Sequence, residues 1–197
     1  MKTHLNYLLI AALIVLTSVD APVNSKYAIA KGHTVTIHGT SNLHAWDERV
    51  GTVTGDGLVL WNGNSSFDLL AMNIRMEGRS IKSTEGSIMN NNTYKALKAD
   101  DHPFIIFALM TPLKAIPANA GKKAITAGVN LTIAGVTKRI DMSVAATAQG
   151  HGNIEFEGSK IIKMTDYGIK PPVAMFGTLK TGDEITIHFK TVLAISN

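Results

Sequence analysis

Apolar side chains recur with a period of two along most of this chain. Val35 and Ile37 alternate with Thr34, Thr36 and His38, and in the run from Phe67 to Met76 the residues Leu70, Met72, Ile74 and Met76 share one side while Asn73 and Arg75 take the other. Such alternation marks strands that bury one face. Further runs cover 104–110, 123–133, 136–147, 153–163 and 184–194. Turn-forming residues bound them: Asn62-Gly63, Ala134-Gly135, Gly150 to Asn153, and Thr181-Gly182-Asp183, with Gly55-Asp56-Gly57 interrupting the stretch from Val50 to Leu60. The pattern predicts an all-β fold of about eight antiparallel strands, a barrel or a sandwich, and closing the sheet removes its exposed edges. A barrel of about eight strands is either filled by its own side chains or holds one small ligand.

Two segments break the period. Ser87 to Ala99 carries Met89, Tyr94 and Leu97 among good helix formers and is stopped by Asp100-Asp101-His102-Pro103, which predicts one short helix over a barrel mouth. At the N-terminus, Lys2 and His4 precede an unbroken apolar run from Leu8 to Leu16 that ends in small residues, the layout of a secretory signal. A membrane-spanning helix needs about 20 apolar residues, so this run is too short to anchor the chain and no later stretch is long enough. Residues 1–25 therefore read as an export signal, cleaved after Ala21 or Ser25, and residues 26–197 as one domain without repeat or linker. The protein is expected in the periplasm or secreted.

Composition narrows the chemistry. The chain has 197 residues, 45% of them hydrophobic and 17% charged, which suits a folded core rather than a disordered tail. Cysteine is absent, which excludes thiolate metal sites, disulfides and a cysteine nucleophile. The seven histidines lack the HxH spacing that sets two imidazoles on one strand face, and His33 and His38 differ in parity, so no metal site is expected. No GxSxG nucleophile elbow occurs, and the acid pairs Asp47-Glu48, Asp100-Asp101 and Asp183-Glu184 read as turn residues, so no catalytic residues are assigned. The net charge of +4 is spread through short pairs such as Lys122-Lys123, without the aromatic interleaving of a nucleic-acid surface.

What remains is an apolar interior. Val35 and Ile37, then Leu70, Met72 and Ile74, then Ile105 and Phe107, then Ile140, Met142 and Val144, and finally Ile187 and Phe189 form one-sided sets that converge inside a barrel. Read from the residues alone, they are either the lining of a ligand cavity or plain core. Several segments then supply more. GTSNLHAW at Gly39 to Trp46, LKADDHPFIIF at Leu97 to Phe107, LTIAGVTKRI at Leu131 to Ile140, MTDYGIKPP at Met164 to Pro172 and KTGDEITIHF at Lys180 to Phe189 stand in the order seen in the YceI-like family of periplasmic polyisoprenoid-binding proteins, which this chain resembles over nearly all of its mature length.

The resemblance implies a lipocalin-like eight-stranded antiparallel β-barrel with a short helix, whose elongated cavity holds an isoprenoid or fatty-acyl chain, with no catalytic residues. Its Pro-x-Ile-x-Phe segment falls on Pro103, Ile105 and Phe107, and its Gly-Val-Thr turn on Gly135, Val136 and Thr137. Its basic-aspartate-aromatic-glycine stretch falls on Met164, Asp166, Tyr167 and Gly168, with Met164 where other members often carry arginine. His44 and Trp46 either meet the polar end of a ligand at the cavity mouth or brace the loop. Arg79 and Lys82 are further headgroup candidates by charge. Two functions follow: a carrier or buffer of a long-chain apolar lipid (polyisoprenoid, isoprenoid quinone or fatty acyl chain), with no other cofactor, or an accessory or stress-response module for an envelope protein, its barrel filled by its own core.

Overall fold

The computed structural model describes residues 24–119 and 121–196, so the segment read as an export signal lies outside the described residues except for Asn24 and Ser25. The chain forms β1 (Asn24–Ile29), β2 (Thr34–Ser41), β3 (Ala45–Val50), β4 (Val53–Asn62), β5 (Ser66–Glu77), β6 (Ile81–Ser83) and the helix α1 (Ser87–Ala96). It continues with β7 (Phe104–Leu109), β8 (Leu113–Pro117), β9 (Lys123–Ile133), β10 (Val136–Ala148), β11 (Ile154–Lys163), β12 (Val173–Ala174) and β13 (Leu179–Ile195).

The register merges the early strands into longer ones. Ala28 faces Asp56 and Thr36 faces Arg49, so β1 and β2 act as one strand against β4 and β3. Val53 faces Met76 and Val50 faces Ile81, so β5 and β6 do the same on the next row. From there β7, β9, β10, β11 and β13 each pair antiparallel with the strand before. Finally β13 closes the ring, with Ile187 against Ile37 and Leu193 against Ile29. The result is a closed, eight-stranded, up-and-down antiparallel barrel with one short α-helix among the described residues, in which every strand of the ring has a paired neighbour on each side.

Antiparallel order puts the β2–β3 hairpin, the α1 connection, the Ala134-Gly135 turn and the segment 164–178 at one end. Contacts agree: a Cβ on Gly135 would stand 2.6 Å from the His102 ring, and the Asn42 amide donates to the Thr178 carbonyl at 2.8 Å. The opposite end is packed solid. Val59, Phe67, Ile154 and Leu193 are fully buried there, and the Trp61 indole N–H donates to Tyr27 Oη at 2.8 Å, which in turn donates to the Gly152 carbonyl at 3.0 Å.

The Ala134-Gly135 turn forms as expected, a two-residue hairpin with φ of 49° and 82° at its centre. Three local expectations are corrected. Gly55-Asp56-Gly57 lies inside β4 and does not interrupt it: a Cβ on Gly55 would stand 2.4 Å from the Asn73 carbonyl oxygen, so glycine here permits close strand approach rather than a turn. Thr181-Gly182-Asp183 lies inside β13, where the pairing with β2 shifts register between Thr181 and Ile185, a bulge rather than a strand boundary. The helix ends at Ala96, before the predicted Ala99, because Lys98 adopts a left-handed φ of 51° and its carbonyl receives the amides of Asp101 and His102.

Candidate functional site: an apolar cavity with a buried carboxyl

Between the packed end and the helix-covered end the barrel encloses a cavity of about 170 Å³. A cavity of about 150 Å³ holds one benzene, so the space admits about six carbon-sized groups. Packed interiors have few voids larger than a single water. The space is therefore a built feature rather than slack in a core.

Inward parity supplies its wall. Val35 and Ile37 line it from β2, Met72 and Ile74 from β5, and Ile105 and Phe107 from β7. Ile140, Met142 and Val144 line it from β10, and Ile187 and Phe189 from β13. The helix contributes Met89, Asn92, Thr93 and Ala96, spaced to share one face. That face mixes two polar residues with two apolar ones, which is why periodicity does not reveal it. Tyr94 turns away instead and donates to the Ile81 carbonyl at 2.9 Å.

Leu70 is the exception among the strand residues expected inside. Ala71 faces Leu58 while Leu69 faces Val59, so β5 carries one extra residue at Leu70. That bulge flips the parity and hands the inward positions to Leu69 and Phe67, both buried. At the hairpin, Trp46 lines the cavity with its indole N–H already donating to the Thr40 carbonyl at 3.2 Å. Its ring covers Gly39, where a Cβ would stand 2.1 Å from a ring carbon. His44 is exposed and outside the wall; its Nδ1 donates to the Ala45 carbonyl at 2.7 Å and its backbone amide to Ser41 Oγ, so it braces the loop. Arg79 pairs with Asp100 and Lys82 donates to the Tyr94 hydroxyl, and neither lines the cavity.

The sequence pattern missed the charged members of the wall. Glu48, read as a turn acid, sits in β3 between inward Trp46 and Val50 and is 3% exposed. Thr93 Oγ1 donates to its Oε1 at 2.5 Å. Burial pushes the Glu48 carboxyl above the ordinary range, and the Thr93 bond only partly opposes this. Lys160 has inward parity on β11, between Phe156 and Ile162. The β10–β11 ladder ends at Val144 and Gly158, while β11 stays paired with β13 as far as Lys163 and Glu184. Lys160 fills that seam, its Nζ donating to the Asp141 carbonyl at 2.7 Å.

The segment after β11 closes part of the same end. Asp183 accepts from the Thr165 amide at 2.9 Å and the Thr165 hydroxyl at 2.6 Å, and these bonds hold its carboxyl below the usual range. They seat a 3₁₀ turn at Met164–Tyr167, from which buried Met164 and Tyr167 reach the cavity wall. Methionine at 164 keeps that stretch of wall free of positive charge. Burial, and secondarily the adjacent Asp166 carboxylate, push the Tyr167 phenol above its ordinary range.

A closed antiparallel barrel around an apolar cavity belongs to the class of small cavity-bearing β-barrels. Within it, residues 19–193 match the model of the YceI-like domain, and the chain belongs to that family. No curated protein sequence matches it. Solved structures with the same fold include a polyisoprenoid binding domain from Saccharophagus degradans, at 10% identity and a TM-score of 0.66, covering 87% of this chain and 99% of that one. BcnA of Burkholderia cenocepacia is similar at 17% identity and a TM-score of 0.56, covering 81% and 95% respectively. The YCEI protein of Campylobacter jejuni is similar at 18% identity and a TM-score of 0.55, covering 76% and 84%.

Proposed function

We propose that this protein is an exported carrier or buffer that encloses a long-chain apolar lipid (polyisoprenoid, isoprenoid quinone or fatty acyl chain) in its barrel, and that it is a binding protein rather than an enzyme. The observation that carries this reading is the empty apolar volume itself. The alternative, an accessory module with a filled barrel, leaves that volume without an occupant. The Saccharophagus degradans neighbour, a polyisoprenoid binding domain, supports the same ligand class. Filling the cavity with about six methylene groups gains about 5 kcal/mol before the ordering costs of ligand and protein. The ligand-facing residues in this proposal are the β2, β5, β7, β10 and β13 side chains of the wall, together with Trp46 and Leu69.

Export rests on the N-terminal pattern, and the fold bears on its cleavage. Asn24 and Ser25 belong to β1, opposite Leu60 and Val59, so cleavage after Ser25 would cut into the barrel, whereas cleavage after Ala21 leaves the strand whole. We therefore place the mature N-terminus at Pro22; N-terminal sequencing of the processed protein beginning at Lys26 or Met1 would contradict this. Binding is tested by displacing the apolar fluorophore N-phenyl-1-naphthylamine from delipidated protein with primary alcohols of increasing length. Affinity should climb with each carbon and then level off at the cavity's capacity. Affinity that is independent of length, or no fluorophore binding at all, would refute the carrier.

A further inference from the structure

Two features of the cavity wall serve no purpose for a purely hydrocarbon occupant. The first is Glu48, a carboxyl held in an apolar wall with Thr93 Oγ1 as its hydrogen-bond partner among the described residues. The register pairs Glu48 with Ile37, Ile37 with Ile187, and Ile187 with Lys160, so the one cationic side chain in the wall among the described residues stands three strands away along the same row. Its ammonium is engaged by the Asp141 carbonyl. Glu48 therefore has no counter-charge beside it in the lining. The second feature is a pair of orphaned hydroxyls: Tyr167 Oη and Thr191 Oγ1 are buried without a hydrogen-bond partner, and both residues line this cavity. Buried polar atoms are ordinarily paired, and each unpaired one disfavours an occupant that offers it nothing.

Resting on the carrier reading above, we propose that Glu48, held by Thr93 of α1, is a headgroup subsite that selects long-chain ligands ending in a neutral hydrogen-bond donor, a primary alcohol, over ligands ending in carboxylate or phosphate. A hydroxyl both donates and accepts, so it satisfies the carboxyl in either protonation state. An anionic end sets its charge against a carboxyl in low-dielectric surroundings, and Lys160, three strands away and held by the Asp141 carbonyl, is too distant to pair with a ligand end that reaches Glu48.

The test compares hexadecan-1-ol, methyl palmitate and palmitate, three ligands of nearly equal chain length, as displacers of N-phenyl-1-naphthylamine at neutral pH. The parent protein should favour the alcohol over palmitate by at least about tenfold, the ratio that one hydrogen bond to a charged group is worth, with the ester between them. In Glu48→Gln the amide oxygen still accepts from Thr93, and the alcohol-to-palmitate ratio should fall by about tenfold while methyl palmitate is unchanged. Thr93→Ala, which leaves the carboxyl in place, should keep the preference against palmitate. Palmitate binding as tightly as the alcohol in the parent overturns the subsite. So does a Glu48→Gln protein that loses affinity for all three ligands equally, since that is the signature of a residue that only ties α1 to the barrel. Failure of all three to displace the fluorophore would instead bring down the carrier reading, and the subsite with it.

Discussion

Replacing Val144 with phenylalanine separates a cavity from a core. Val144 is 7% exposed, lines the cavity, and faces Gly158 across the β10–β11 pair. The Phe189 ring lies over that glycine, 2.9 Å from where a Cβ would stand, so the free space next to Val144 is on the cavity side. The swap adds about four carbon groups. At about 0.8 kcal/mol each they displace ligand methylenes worth about 3 kcal/mol, which weakens a chain that fills the cavity by about two orders of magnitude in Kd. Chains about four carbons shorter should bind as before. Because the ring enters existing space, the Tm of the unliganded variant should stay within about 2 °C of the parent. Were the barrel filled, the same swap would overpack it by about 1–3 kcal/mol, lowering Tm by about 2–12 °C. Calorimetry of delipidated protein and fluorophore displacement across an alcohol series from about two to about sixteen carbons measure both quantities. A large fall in Tm with no change in the chain-length profile would refute the reasoning.

Two further outcomes follow from the wall. The bulge predicts that Leu69→Ala costs about 2–5 kcal/mol, as for a buried core leucine, while Leu70→Ala costs clearly less; equal losses in chemical denaturation would contradict the parity flip. Glu48 titrates higher in the folded chain than its ordinary 4.5, so above that pH the unfolded chain binds fewer protons and stability falls as pH rises, until the folded carboxyl has also ionised. Glu48→Gln removes this slope, so the Tm of the variant minus that of the parent should increase across that window; a constant difference would show that the carboxyl ionises alike in both states.

The barrel was legible because each of its strands buries one face, and period-two alternation survives wherever the ladder is regular. It failed where the ladder is irregular. Leu70 obeys the alternation of Met72 and Ile74, and only the pairing of Ala71 with Leu58 and Leu69 with Val59 shows the extra residue that turns it aside. Glycine misled at Gly55 for a related reason: a residue without Cβ marks a turn and a close strand approach equally well, and only the distance to Asn73 decides. The wall's apolar members followed from parity, but Glu48 and Lys160 did not. A charged residue at an inward position looks like a break in the pattern, and its place in the wall depends on Thr93 or Asp141, which lie far away in sequence. Whether the apolar interior was core or cavity was not legible at all, since both require the same side chains and differ only in how far apart the barrel holds them.

The most direct test of the central claim is native mass spectrometry of the full chain expressed with its export segment, purified without detergent and then incubated with a long-chain primary alcohol. The account predicts a population heavier than the processed chain by the mass of one lipid molecule, lost on collisional activation and replaced by the added alcohol at a stoichiometry of one. A spectrum that shows only the bare chain before and after incubation would contradict it.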